Sequence, residues 1–437
     1  MGPIWIGIDD TDSPKGGCTT WVLTELLREA RERSIDLLGE PRLVRLNPNI
    51  PWKTRGNAAL AARFGRGSGQ RTKVAEIDGR PVFAYSRGRE LPPAARARFV
   101  DAAWECVLRA APDEPGTDPA LVASGRRLPT SLYWRAVREV VRPQEVLEAL
   151  EREGAEPRIR GDPTGVVGAA AAIAWPGRRA TWELIAYRAP ERWGTPRAVD
   201  PESVREAQRR DPELFLCHDP RTRRLLVTPH TACPILFGLR GVSARASRGA
   251  RRRVRSEPVD RWAVFCTNQG TGDHLVRRTG ATFGPYLSGT LDGVVVRPPR
   301  SRPGGHVELT VCDVDGANVP CVAFEPTKTL PKVALSLRTG DVVSVWGSQG
   351  GAPGIRLEGI RLVRFANRSR STNPSCPSCG RRARSMGRLR GFRCPSCGAR
   401  FPPESAGREL EPPSFPPGVY HPTASARRHL APRAAEL

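Results

Sequence analysis

The sequence predicts a multidomain chain that combines α/β and α+β units with a small β-barrel and a metal-bound ribbon. Three observations predict this. The apolar run Ile4–Ile8 breaks into an acidic, glycine-containing loop and then into helical spacing, the order strand, loop, helix. Residues 284–366 hold five short alternating segments separated by Gly and Pro, which suits a Greek-key barrel of the OB type. Two CxxC pairs then follow, Cys376–Cys379 and Cys394–Cys397. The length of 437 residues also argues for several cores, since one core stops growing near about 250–300 residues.

Taken in order, Ile4–Ile8 reads as a buried strand ending in Asp9, Asp10 and Asp12. After the loop 13–20, Val22, Leu23, Leu26, Leu27 and Ala30 share one face of a helix over 21–33. A second strand at 42–46 leads into the polar loop 47–57. Residues 95–111 and 143–153 read as helices around a Pro/Gly/Asp segment at 112–119. From about 140 to 278 short strands and helices alternate, with 166–175 and 182–187 the clearest buried elements and a dense basic run at 245–261. The barrel segments are 287–296, 306–314, 319–324, 341–346 and 355–363. A polar linker at 367–373 precedes the cysteines, and the Pro-rich tail after 402 reads as mostly irregular.

The formal charge is +24, from 69 basic and 45 acidic residues, and 64 of the basic residues are Arg. So strong a field attracts polyanions, nucleic acid first, and supplies affinity rather than sequence choice. The longest nearly uncharged apolar stretch, Gly165–Pro176, is far short of the roughly 20 residues a membrane span needs. The N-terminus turns acidic at residue 9 and does not read as a signal peptide, so a soluble, cytoplasmic protein is expected. Eleven cysteines, an odd number, argue against a disulfide framework. Seven are scattered and read as small buried hydrophobes.

The other four, Cys376, Cys379, Cys394 and Cys397, have the spacing that sets four thiolates around one structural Zn²⁺. Between the knuckles lie Arg381, Arg382, Arg384, Arg388, Arg390 and the aromatic Phe392, with no acidic residue from 367 to 403. A closed four-cysteine site performs no chemistry, so this segment is expected to present arginines, and Phe392 among them, to nucleic acid. Asp9, Asp10 and Asp12 at a strand end suit Mg²⁺, a hard ion that prefers oxygen ligands and substrate phosphates. Lys53 and Arg55 in the second loop are natural partners for a triphosphate. Asn268–His274 and Trp193–Arg197 read as turns, and His230 and His274 as structural.

The motifs GIDDTDSPKGGCTT, RLNPNIPWKTRGNAA, TGVVGAAAAIA, WGTPR, PILFGLRG, NQGTGDHL and EPTK, the CPSCG knuckles and the tail ARRHL follow one another in this chain. In this series the chain resembles the archaeal tRNA-isoleucine 2-agmatinylcytidine synthetase (agmatidine synthase) family over essentially its full length. The resemblance implies an atypical kinase domain at 1–140, a ferredoxin-like domain at 141–278, an OB fold at 283–366, a zinc ribbon at 374–402 and a tail at 403–437. It implies an ATP-dependent ligase that forms a C–N bond between agmatine and C2 of the wobble cytidine in the CAU anticodon of tRNA-isoleucine. The cytidine is first phosphorylated, and the product, agmatidine, decodes AUA. Carried over, Asp9, Asp10 and Asp12 bind Mg²⁺ and position ATP, and Thr19 is the self-phosphorylated threonine. Gly16, Gly17, Lys53 and Arg55 fall in the phosphate loops. The agmatine pocket is not assigned; Asp273 and Glu183 are acidic candidates for a dication. Gly17, Val242 and Leu330–Pro331 depart from the family pattern. A non-catalytic single-stranded RNA-binding protein, or an ATP-dependent RNA modifier using another amine, remain as alternatives.

Overall fold

The computed structural model describes residues 2–13, 15–54 and 56–433. Its first body opens with β1 (Ile4–Asp9), α1 (Thr19–Glu32), β2 (Asp36–Leu38), β3 (Arg42–Arg45), β4 (Ala58–Ile77) and β5 (Arg80–Arg89). It continues through α2 (Pro93–Ala110), β6 (Ala120–Ser124), α3 (Thr130–Arg138), α4 (Pro143–Arg152) and β7 (Glu156–Ile159). Then come α5 (Gly165–Ala174), β8 (Thr181–Tyr187), α6 (Pro201–Arg210), β9 (Ile235–Gly241), α7 (Ala244–Arg251) and β10 (Arg261–Thr267). All ten strands form one sheet along the path β7-β6-β1-β4-β3-β10-β8-β9, with β2 and β5 attached to the long β4. The sheet runs through the division expected at 140/141: β7 pairs with β6, and β10 pairs with β3 and β4 as well as with β8.

The period-two alternation of a strand decides what β1 shows to each face. Ile4, Ile6 and Ile8 enter the core beneath α1 and α2, whereas Trp5 enters the core beneath α3, α4 and α5. Gly7 and Asp9 follow Trp5 on that second face. The helix α5 is apolar all round and nearly every residue is buried, as a helix enclosed on all sides must be. It lies so close to β1 that a Cβ on Gly7 would stand 2.1 Å from the Ala169 carbonyl oxygen.

Composition did not mark the β4–β5 hairpin. Residues 66–71 pair only with β5 and are mostly in water, so the apolar alternation that signals a strand is lost there.

The second body holds β11 (Val276–Arg277), β12 (Ser288–Ser301), β13 (Val307–Asp313), β14 (Asn318–Ala323), α8 (Thr329–Leu335), β15 (Val342–Gln349) and β16 (Ile355–Arg364). The pairings β12–β13–β14–β16–β15–β12 close a five-stranded barrel. Its five strands fall where the five alternating segments were expected, and β13 alternates buried and half-buried residues without a break. The short α8 is an addition, and the departing residues Leu330 and Pro331 lie buried in it, Leu330 within the barrel core.

From the barrel the chain passes through β17 (Ser369–Thr372) into the ribbon strands β18 (Arg384–Ser385), β19 (Phe392–Arg393) and β20 (Arg400–Phe401). It returns through β21 (Gly407–Leu410), paired with β17, and β22 (Gly418–Tyr420), paired with β16. Most of the tail's described residues lie outside helix and strand, in keeping with its Pro-rich composition. The tail is fastened by two short ladders, and Leu430 is buried in the core of the first body. Among the described residues no helix is long and apolar enough to cross a membrane.

Candidate active site and cationic ribbon

A cavity of about 540 Å³ opens where β1, β3, β8 and β9 meet the N-terminus of α5 and the C-terminal tail. One end is acidic: Asp9, Asp10 and Asp12 line it, with Thr19 beside them. Asp9 shares the face of β1 that packs on α5, and this contact depends on Gly168. A Cβ there would stand 1.8 Å from Asp9 Oδ2. Asp10 adopts φ 56°, a conformation few non-glycine residues take, which turns the chain sharply after Asp9. Burial, and then the charge of Asp10, hold the Asp9 carboxyl well above the ordinary carboxylate range. Burial also pushes Asp10 up to about 7, with the charges of Asp12, Asp118 and Asp162 adding to it.

Gly168→Ala tests this geometry against helix propensity. In a helix interior Ala is ordinarily better than Gly by about 1 kcal/mol. Here it is expected to lower the melting temperature, because overpacking costs about 1–3 kcal/mol, and to cut turnover by at least about tenfold. Thermal melts and product assays check both. Gly165→Ala, whose Cβ would meet only 3.0 Å contacts, is expected to be milder.

Thr19 is the first residue of α1 and is 7% exposed. Free amides and the helix dipole favour a negative group at that point. The loop before it folds back on itself, with the Ser13 amide donating to the Gly16 carbonyl at 2.9 Å. Gly17 has φ 72°, and a Cβ on it would lie 2.7 Å from Pro112 Cγ. Gly16 and Gly17 shape this turn but do not line the cavity.

The other end is cationic. Lys53 lines it and donates to the Ile50 carbonyl at 2.8 Å; burial, then Arg428, lowers its pKa. Arg55 lies outside the described residues. Arg45, Arg240, Arg428 and His429 complete this wall. Set among them is Glu183, 4% exposed, with Arg240 Nε at 3.2 Å, Arg45 Nη2 at 3.8 Å and the Gln269 side-chain amide on its other oxygen. His429 Nδ1 faces Gln269 Oε1 at 3.0 Å, an acceptor, so its proton is on Nδ1. The charge of Arg45, then burial, keeps the ring neutral.

Glu183 thus reaches the cavity, but three donors already engage it. Asp273 does not reach the cavity: it accepts a hydrogen bond from the buried Tyr133 hydroxyl. That carboxylate is occupied in the core and, contrary to the expectation for a dication partner, does not face the cavity. The loop 268–274 is more than a turn. Asn268 accepts from the Arg45 amide at 2.7 Å and donates to the Arg45 carbonyl at 2.9 Å, and the Gly270 and Gly272 amides donate to the carbonyls of His429 and Leu430. In the WGTPR motif, Arg197 donates to the carbonyls of Pro229, Thr231, Cys233 and Ile235 and so braces the cavity wall. His274 is buried with Nε2 3.2 Å from Glu358, a structural role as expected.

Far along the chain, Cys376, Cys379, Cys394 and Cys397 bring their sulfurs within 4.8 Å of one another, the arrangement one tetrahedral Zn²⁺ takes. Amides of Cys397 and Ser396 pull the Cys394 thiol down to about 6, which favours the ligating thiolate. Among the described residues this is the one group of His, Cys, Asp or Glu side chains so gathered. Arg381, Arg382, Arg384, Arg388 and Arg390 are exposed around it. Phe392 is not: at 9% exposure it pairs with Phe401 inside the ribbon. Its expected place on the nucleic-acid surface is corrected, because so small a domain needs its aromatic residue for a core.

A cavity lined by clustered carboxylates and by cations, in a chain that also carries a closed barrel and an arginine-bearing ribbon, defines the class: an enzyme-type core with a strongly cationic surface. Comparison with known proteins makes this specific. Residues 5–158, 163–274 and 373–409 match the family models of the TiaS TCKD domain, the TiaS FLD domain and the TiaS C-terminal zinc ribbon domain. The chain is 37% identical to TiaS of Archaeoglobus fulgidus, the 2-agmatinylcytidine synthetase of the isoleucine-2 tRNA, over 98% of this chain and 96% of that protein. It is 36% identical to the protein of the same name from Methanosarcina mazei, with the same coverage. Apo TiaS superposes with a TM-score of 0.85 at 34% identity, covering 100% of this chain and 98% of that one. A TiaS complex with the isoleucine-2 tRNA, AMPCPP and agmatine superposes at 0.81 and 32% with the same coverage. The chain belongs to the TiaS family, the 2-agmatinylcytidine synthetases of the isoleucine-2 tRNA.

Proposed function

We propose that this protein conjugates agmatine, at the expense of ATP, to C2 of the wobble cytidine in the CAU anticodon of tRNA-isoleucine. The observation that carries this reading is the full-length likeness to a relative solved with the isoleucine-2 tRNA, a nucleotide analogue and agmatine together. The cavity offers what such chemistry needs. The C2 oxygen of cytosine is a poor leaving group, so it first receives a phosphoryl group from ATP. The agmatine amine then attacks C2, the C–N bond forms, and the oxygen departs with phosphate as the amine gives up a proton. Lys53 and Arg428 at the cationic end would neutralise the nucleotide phosphates, with Arg55 next in that loop. Gly16 and Gly17 would shape the phosphate loop, and Thr19 would accept a phosphoryl group at the start of α1. In class this is a C–N bond-forming ligase, acting in the cytoplasm where tRNA is found.

The residues at the acidic end fit Mg²⁺. Asp10 is raised to about 7 partly because Asp12, Asp118 and Asp162 crowd it, and hard oxygen donors under mutual repulsion suit a hard dication. Asp9, Asp10 and Asp12 would hold it, and bound there it would supply charge neutralisation to the phosphates. The sub-domain names carried over from the resemblance belong to the same proposal: atypical kinase for the part of the sheet around β1, ferredoxin-like for the part around β8, OB fold for the closed barrel.

The reaction is tested by incubating the full chain with labelled agmatine and total tRNA, with and without ATP. Label should enter tRNA only when ATP is present; equal labelling without ATP, or with another amine in preference, would overturn the assignment. The ribbon arginines are expected to grip phosphates. Neutralising two of Arg381, Arg382, Arg384, Arg388 and Arg390 should raise the apparent tRNA KM and reduce the salt slope by roughly two contacts. The agmatine KM and phosphorylation of Thr19 should stay unchanged, which steady-state kinetics at several salt concentrations would show.

A further inference from the structure

Trp52 lies at the cavity rim, 58% exposed, and belongs to none of the four apolar cores. On average Trp is among the more buried side chains, so an indole left this far in water needs a reason. Its surroundings hold it there. The ring meets Tyr286 edge-on, with centroids 6.5 Å apart and planes at 63°. Tyr286 leads into β12 of the barrel and has φ 63°, a left-handed conformation that persists in a bulky residue only when its neighbours impose it. They do so here: the Tyr286 carbonyl accepts from Asn47 Nδ2 at 3.0 Å and from Asn49 Nδ2 at 3.3 Å, and its amide donates to the Gln349 carbonyl at 3.0 Å. The loop before Trp52 and the mouth of the barrel are thereby clamped into one rim. Positive charge lines the same cavity, from Lys53 next in the chain and from Arg428, which donates to Asn49 Oδ1 and whose charge acts on Lys53.

A water-exposed aromatic face at the rim of a cavity lined by cations is the arrangement on which single-stranded nucleic acids stack their bases. One indole face is too small for a protein partner, and the flanking charge favours a polyanion. We infer that Trp52 stacks an unpaired nucleobase of the anticodon loop and so holds the loop open at the cavity while the target cytosine enters. The inference rests on the reaction proposed above. Taking a base out of its stack has a cost, and a protein ring that replaces the lost stacking offsets it.

The test uses the isoleucine-2 tRNA carrying 2-aminopurine, whose emission is quenched by stacking, at each anticodon position in turn. With the wild-type protein one position should stay quenched. Trp52→Ala should make that position bright and Trp52→Phe should restore the quenching. Trp52→Ala should also raise the apparent tRNA KM about 5- to 100-fold, with the agmatine KM and the melting temperature unchanged. Identical emission in wild type and Trp52→Ala at every position would overturn the inference, as would an unaltered tRNA KM or an agmatine KM that moves in parallel. If the wild type forms no agmatidine, the proposed reaction fails; quenching that depends on Trp52 would still support the stacking platform.

Discussion

Asp9→Asn, Asp10→Asn and Asp12→Asn are each expected to lower agmatidine formation by at least about 10²-fold, comparable to losing one charge-stabilising contact in a transition state. The fold should survive and even gain. Burial already raises the pKa of Asp9 and Asp10, so each ionised carboxylate is held at a cost that the amide removes. The sign follows from linkage. Asp10 has a folded-state value of about 7 against an ordinary 3.8, so the folded state binds more protons between those values. Without metal, stability contributed by this group is therefore present below about pH 4, is lost as pH rises towards 7, and is flat above. Asp10→Asn should remove this group's share of the slope and leave that of Asp9, whose carboxyl burial also raises. Melting curves from pH 4 to 8, beside turnover assays, check both halves; three variants within a few-fold of wild type would place the ATP site elsewhere.

The second large effect concerns the ribbon. Fresh protein should carry about one zinc, and serine in place of Cys376, Cys379, Cys394 or Cys397 should unfold residues 374–402. Apparent zinc-binding energies of about 10–16 kcal/mol exceed what so small a core supplies by itself. Phe392 and Ala383 are among its few buried apolar residues, so little else holds it. The barrel and cavity should stand, because the chain leaves through β17 and returns through β21, a ladder outside the knuckles. Utilisation of tRNA should fall steeply while phosphorylation of Thr19 by ATP alone continues. Elemental analysis and separate assays of the two activities decide it; less than roughly half an equivalent of zinc in fresh protein would count against a structural metal.

What could be read from the sequence was local. The β1 alternation, the helix after it and the knuckles are set by residues close together in the chain, so period and spacing expose them. The cationic wall is assembled from remote segments. Arg428 meets Asn49 across 379 positions, and Glu183 is engaged from β3, β9 and the loop after β10. No periodicity marks such contacts, which is why Arg240, Gln269 and His429 were missed as site residues, although the ARRHL tail motif was visible. Gly168 could have been found: two glycines in an otherwise alanine-rich helix signal a close approach. Phe392 and Asp273 were misplaced for one reason. Residue type suggested exposure to a ligand, while the fold used each to satisfy an interior.

The most direct measurement is nucleoside mass spectrometry on the isoleucine-2 tRNA after incubation with the full chain, ATP and agmatine. The wobble nucleoside should gain the mass of agmatine less water, at that position alone, and ATP should be consumed in step with it. Unmodified cytidine at the wobble position with both substrates present, or agmatine attached to another residue, would contradict the proposed reaction.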